Sequence, residues 1–378
     1  MKVSTAQWTS SRGWSFDATG GPVAPDWILY FGATDRLAAT DGPADELCRK
    51  FPQAVCSGCS TSGEILGAHV GDDSVVAALV KFDATKVRGV AAQVAAPEHS
   101  GATARMLVEQ LRANDLCHVL VLSEGLKVNG TALVAGFRAA LPERVAVTGG
   151  LAGDGTRFGR TVTGLGQQLG GAQVVAVGFY GRALHVGYGT EGGWEAFGPR
   201  RLITKARGNV LFELDGQPAL DLYKKYLGER ATGLPATGLL FPLQLLANAN
   251  ALTGLVRTIL AVDEKEHSLT FAGDLPEGQY ARLMKTGQDG LVHGAAQAAG
   301  AAAQGDANHR LAVLVSCVGR RLVLGQRVEE ELEAVQQALP AGSTAIGFYS
   351  YGELCPPTGL LTCELHNQTM TITTFAEG

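Results

Sequence analysis

The sequence predicts an α/β protein in which repeated strand–helix–strand units form mixed sheets, arranged in two domains. Three short apolar runs carry the first part of this prediction: WILYF (27–31), HVLVL (118–122) and LAVLV (311–315). They are continuous rather than alternating, as strands covered on both faces are. The second observation is a common succession after each run: a polar turn, a stretch with helical spacing, another short apolar stretch, and a glycine loop.

The first unit passes from WILYF through PADELCRKF (43–51) to the loop GCSTSGEI (58–65) and the strand-like SVVAALVKF (74–82). The second passes from HVLVL through NGTALVAGFRAAL (129–141) to GGLAGDG (149–155) and QVVAVGFYG (173–181). The third passes from LAVLV through QRVEEELEAVQQAL (326–339) to GFYSYGEL (347–354) and the alternating TMTITTF (369–375). In that last helix Val328, Leu332, Val335 and Leu339 share one face. Each helical stretch stops at a proline, Pro52, Pro142 or Pro340. Recurrence of the glycine loop at the same place in every unit argues for internal duplication.

Residues 192 to 300 do not follow the repeat. GGWEAFGPRRLITKARGNVLFEL (192–214) reads as strands and turns, and DGQPALDLYKKYLGE (215–229) as a helix with Pro218 near its first turn. ATGLPATGLLFPLQLL (231–246) has no charge and is expected to pack against something apolar. Residues 255–278 read as a hairpin, and 276–304 as a helix or helix pair. A boundary near 185 to 200 divides the chain into expected domains of residues 1–190 and 191–378.

Composition narrows the function. The 378 residues are 46% hydrophobic and 18% charged, enough for a sizeable core. A net charge of −5 without a Lys/Arg-rich run speaks against nucleic-acid partners. No apolar run approaches the ~18 residues of a membrane span, and the first residues lack the apolar core of a secretory signal. The seven cysteines form no disulfide framework, so a cytoplasmic chain with reduced thiols and no membrane insertion is expected.

The loops hold the candidate chemistry. A carboxylate follows the second glycine of each one: Glu64, Asp154 and Glu353. Glycines let a ligand approach the main chain. Free N–H groups with the hydroxyls of Ser60, Thr61 and Ser62 suit a carboxylate or carbonyl, and the acids suit an ammonium group. Tyr349 and Tyr351 supply aromatic walls with polar tips; Arg157 beside Asp154 and His366 beside the third loop complete the expected ligand-binding set. The bland alternative is that the glycines make tight turns and the acids cap backbone N–H groups. Cys56-x-x-Cys59 occurs in one loop only, and a single pair cannot supply a four-ligand zinc site. No metal site and no catalytic residue are expected, because nucleophile-elbow, Walker A and His-Glu-x-x-His signatures do not occur.

Taken together, GCSTSGEI, GGLAGDGTRF, GGWEAFGPRRLITKARGNVLFELDGQPALDLYKKYL, SCVGRR, GFYSYGEL and LHNQTMTITT resemble the FIST family of sensory proteins, over nearly the whole chain. The resemblance implies N- and C-terminal FIST domains and a bacterial, non-catalytic sensor. Its ligand would be an amino acid or related metabolite bound in a pocket between the domains. Signalling would occur in trans to a histidine kinase or a diguanylate cyclase/phosphodiesterase, with homodimerisation left open. A stand-alone branch of the family is associated with haem b and nitric oxide through an Arg, four residues, Pro, and then a His. Arg230 and Pro235 match that element, but leucine occupies the histidine position, so a haem ligand would have to be His366 or His185. A non-catalytic interaction scaffold is the remaining alternative.

Overall fold

A computed structural model describes residues 1–17, 24–252, 254–304 and 311–378. The apolar runs form buried strands, Trp27–Gly32, Leu116–Ser123 and Leu311–Cys317. Each pairs in parallel with the strand that comes after its helix, Val55–Ser60, Ala146–Leu151 or Thr344–Ser350. On its other side each pairs antiparallel with a returning strand, Val75–Lys81, Gln173–Tyr180 or Met370–Glu377. A leading strand outside that, Lys2–Thr9, Lys86–Gln93 or Leu184–Glu191, completes the unit. The helices Pro43–Lys50, Gly130–Ala140 and Val328–Ala338 each stop two residues before their proline. Proline pushes the residue before it out of the α region, and Leu141 and Leu339 are accordingly extended.

After its glycine loop, each repeat sends a short hairpin into a different repeat's sheet. The hairpin Glu64–Leu66/His69–Gly71 pairs with Thr344–Ser350 of the third repeat. Thr163–Leu165/Gln168–Gly170 pairs with Val55–Ser60 of the first, and Gly352–Cys355/Glu364–His366 with Ala146–Leu151 of the second. The exchange is cyclic: first to third, second to first, third to second.

Period-two alternation then sorts the side chains. Trp27, Leu29 and Phe31, with Leu120 and Leu122, and Leu311, Val313 and Val315, meet in one core shared by all three sheets. Ile28 and Tyr30, Val119 and Val121, and Ala312 and Leu314 face three separate outer layers. Aromatic contacts lock the shared core across repeats: Phe31 stacks on Phe348 with centroids 4.6 Å apart, and Trp27 meets Phe179 edge-on at 5.0 Å.

The non-repeating region is an insertion into the third repeat, between Leu184–Glu191 and the helix Gln288–Ala302. Its own sheet has Glu195–Arg207 and Tyr280–Lys285 paired at the centre and Val256–Arg257 and Ile259–Asp263 at the edges, with the helix Ala219–Leu227 against it. Strands Ile259–Asp263 and Ser268–Phe271 form the expected hairpin. The expected helix or helix pair over 276–304 is instead a strand followed by one helix, and that helix belongs to the repeat.

One expectation about the cysteines is corrected. Cys48 and Cys56 form a disulfide with Cα atoms 5.9 Å apart, because the helix Pro43–Lys50 lies over the strand carrying Cys56. Cys59 points to the opposite face, buried and free. Among the described residues no helix is long and apolar enough to cross a membrane.

Candidate functional site

The three glycine loops meet. The Ser62 amide donates to the Tyr349 carbonyl (2.8 Å), Tyr349 N to Gly63 O (2.9 Å), Gly153 N to Ser60 O (3.0 Å) and Tyr351 N to Leu151 O (3.1 Å). Every one of these bonds joins two repeats. Two glycines are required by the approach itself: a Cβ on Gly125 would lie 1.9 Å from the Ala152 carbonyl oxygen, and one on Gly153 would lie 2.3 Å from Ser62 Oγ.

The carboxylates are not three copies of one position. Glu64 and Glu353 are equivalent. Glu64 accepts from Thr61 Oγ1 (2.5 Å) and Ser74 Oγ (2.8 Å); Glu353 accepts from Ser350 Oγ (2.7 Å) and Thr369 Oγ1 (2.9 Å). Register shows that Thr163 holds this place in the second repeat: it faces Cys59 as Glu64 faces Phe348 and Glu353 faces Gly150. Asp154 sits upstream, in a longer loop, and accepts from the backbone N–H of Gly159 (2.9 Å) and Arg160 (2.8 Å) and from the Tyr351 hydroxyl.

Electrostatics separates them in the same way. Burial pushes Glu64 up to about 7 and Glu353 up to about 8, against the pull of their hydroxyl and amide donors. Burial also acts upward on Asp154, but Arg160 N–H, the Tyr351 hydroxyl, Gly159 N–H and the Arg157 charge together hold it below the usual carboxylate range.

Thr61, Ser62, Glu64, Asp154 and Arg157 line one small pocket of about 300 Å³, with Asp35, Asp72 and Asp73 at its rim. Their polar groups are partnered within the protein: Thr61 to Glu64, Ser62 to Gly155 O (3.3 Å), and Arg157 to Asp154 O (3.0 Å) and Asp35 (3.1 Å). Ser60 Oγ, fully buried, accepts from Val162 N at 3.0 Å. Tyr349 is in the core, its hydroxyl donating to Glu331 at 2.6 Å. His366 is buried with Nε2 2.9 Å from Cys355 O, and burial holds it down at about 4. His185 lies on an exposed strand face.

A larger cavity, about 420 Å³, lies on the other side of Tyr351. Second-repeat residues Gly125, Leu126 and Phe158 form one wall, the insertion's Leu234, Pro235, Leu239 and Thr258 another, and Cys317, Val318, Gly319, Leu322 and Asn367 of the third repeat the rest. Phe158 stacks on Tyr351 with centroids 4.6 Å apart. Within this apolar lining, Asn367 is 1% exposed and Thr258 4%. Neither amide atom of Asn367 nor the Thr258 hydroxyl has a hydrogen-bond partner. Sequence reasoning passed over these residues, although the charge-free run at 231–246 and the SCVGRR and LHNQTMTITT stretches contain much of this wall.

Residues 26–217 match the FIST N domain and residues 219–356 the FIST C domain. The chain belongs to the FIST family. FIST domains are small-ligand sensory domains of signalling proteins. No curated protein matches this FIST chain. Both matched segments contribute to the 420 Å³ cavity, with Gly125 to Phe158 in the first and Gly233 to Tyr351 in the second.

Proposed function

We propose that this FIST protein is a non-catalytic small-molecule sensor whose ligand occupies the 420 Å³ cavity between the insertion and the second and third repeats. One observation carries the reading: the second repeat, the insertion and the third repeat close on an apolar hollow whose lining gathers four exposed large apolar side chains, Leu126, Phe158, Leu260 and Leu322. Cavities of roughly 300–1,000 Å³ with few polar groups are the usual form of a small-molecule site. The signal then passes in trans to a histidine kinase or a diguanylate cyclase/phosphodiesterase.

The cavity residues do not fit haem held through histidine. Among the described residues lining it none is a histidine, and Leu239 stands near Pro235. His366 is bonded to the Cys355 carbonyl and does not line the cavity.

A thermal-shift screen of amino acids, their derivatives and small metabolites tests the proposal. A ligand at about one hundred times its Kd adds about 2.7 kcal/mol of stability. Stabilisation is expected in the native chain and is lost in Leu239→Trp, which fills the chamber. A hit that acts equally on Leu239→Trp places the site elsewhere and overturns the reading.

A further inference from the structure

Resting on the cavity assigned above, we infer that its ligand is an uncharged molecule with a flat aromatic ring that lies against Phe158, and that Asp154 positions the aromatic shelf receiving it. The side chains that meet such a ligand are accessible ones. Leu126, Phe158, Leu260 and Leu322 line the cavity, and each keeps at least 36% of its surface exposed. Among the described lining residues there is no Asp, Glu, Lys, Arg or His. A charged group carried into the chamber loses its water and meets no countercharge. One left outside in water gains nothing from the chamber.

Shape selects the ring. Phe158 and Tyr351 stack with centroids 4.6 Å apart and planes 14° from parallel. Tyr351 also has Gly125 against its ring, where a Cβ would lie 3.0 Å from Cδ2. Phe158 is the more open of the two, and its face turned away from Tyr351 is left for a third ring that continues the stack. A flexible aliphatic chain gains apolar burial there but no face-to-face contact.

One carboxylate builds this shelf. Phe158 has φ 49°, a left-handed conformation that a bulky side chain rarely takes. The residues after it hold it there: Gly159 N and Arg160 N both donate to Asp154 Oδ2, at 2.9 and 2.8 Å. Asp154 Oδ1 accepts from the Tyr351 hydroxyl, which also lies 3.0 Å from the Gly155 carbonyl oxygen. Buried Asp154 thus fixes the backbone beneath one ring and the polar tip of the other. Backbone held outside its usual wells clusters at ligand clamps. Asp154 touches no ligand; it acts through the two rings.

Three probes of similar size separate these features: 2-naphthol, its saturated counterpart decahydro-2-naphthol, and 2-naphthoate. Ligand-observed NMR titration of the full chain is expected to show 2-naphthol binding roughly two- to tenfold tighter than decahydro-2-naphthol, the range an aromatic pair supplies. Apolar burial alone would not favour 2-naphthol, because the saturated rings carry at least as much apolar surface. 2-Naphthoate is expected to bind at least about tenfold more weakly than 2-naphthol. Protons of bound 2-naphthol shift upfield, as protons over a ring face do. Leu239→Trp abolishes binding of all three. Phe158→Leu keeps the site apolar and brings the 2-naphthol preference over the saturated probe to about one or below. Asp154→Ala does the same, and Asp154→Asn restores the preference, because its amide oxygen still accepts from the two N–H groups while Tyr351 keeps the Gly155 carbonyl. A merely structural loss at Asp154 would weaken both probes alike.

Decahydro-2-naphthol or 2-naphthoate binding as tightly as 2-naphthol, and lost in Leu239→Trp, overturns the inference and leaves the site standing. A preference that survives Phe158→Leu overturns the stacking, and one that survives Asp154→Ala overturns the role of Asp154. Should these variants not fold, the native chain decides: bound 2-naphthol without an upfield shift overturns the stacking. A folded chain that binds none of the three overturns the inference, while the thermal-shift screen still decides the site. Binding undiminished in Leu239→Trp overturns the site itself, and the inference with it.

Discussion

Glu353 sits with no solvent exposure between Ser350 and Thr369, and burial raises its carboxyl to about 8; Glu64 comes next at about 7. A carboxyl raised in the folded state stabilises the fold fully below its unfolded value of about 4.3, and that stability drains away as pH rises through the folded value. Buried His118, lowered to about 3, and His366, lowered to about 4, act oppositely, adding stability as pH rises toward about 6.5. Glu377, pulled down to about 2, gains its stability at still lower pH. Between about pH 6.5 and 8.5 the two glutamates therefore set the slope, and urea melts are expected to show stability falling by up to a few kcal/mol. Glu353→Gln, neutral at every pH, flattens the fall; stability that climbs over this range would count against the assignment. Gly125→Ala drives a methyl into the Ala152 carbonyl and is expected to cost more than about 2 kcal/mol in the same assay. The sequence marked the loops that meet in space, because glycine and hydroxyl clusters mark close backbone approach. It misaligned Asp154, since a longer second loop moves the equivalent position to Thr163. Asn367 went unread because an asparagine in a turn ordinarily serves its own backbone.

Among the elements, the short helix Val318–Leu324 joins the cavity to the base of the insertion. Val318, Gly319 and Leu322 line the chamber, while Arg320 turns inward to Glu331 at 2.9 Å, to Gly192 O at 2.8 Å and to Leu291 O at 2.8 Å. Glu331 is filled in turn by Ser316 and Tyr349, so the fully buried pair has its hydrogen bonds met. Removing one partner of such a pair leaves a stranded charge and costs about 3–5 kcal/mol. Arg320→Met should lose that much in denaturant titration, and adding Glu331→Leu should recover a large part of it. A single variant costing as little as the double would show that the charges are not coupled. Next to Asn367, Gln368 ties the same wall together, its Nε2 donating to Leu239 O (3.2 Å) and its carbonyl accepting from Trp194 (2.8 Å). Helices and long strands were legible because periodicity and proline punctuation are local. The three- and four-residue strands of the exchanged hairpins were not, since nothing local says which sheet edge a strand will join.

At the scale of the molecule, the shared core and the cyclic exchange bind the repeats into one unit. Residues 1–190 contain two leading-to-returning strand sets, yet the edge of Ala146–Leu151 is covered by Gly352–Cys355, and the hairpin Glu64–Gly71 has its sheet in the third repeat. A fragment of residues 1–190 is expected to lack a cooperative unfolding transition, whereas in the whole chain the three repeats are expected to lose structure together, as read by circular dichroism and core-tryptophan fluorescence. A fragment that melts sharply would show that the first two repeats close without the third. The repeat itself was visible from three apolar runs and three loops; the pairing between repeats lies beyond any local pattern. The exchange also bears on synthesis. Gly149 emerges from the ribosome roughly two hundred residues ahead of its partner Leu354, which at about 5–20 residues per second is a wait of about 10–40 s. Throughout that interval the nascent chain carries a naked strand edge of the kind that recruits chaperones or aggregates.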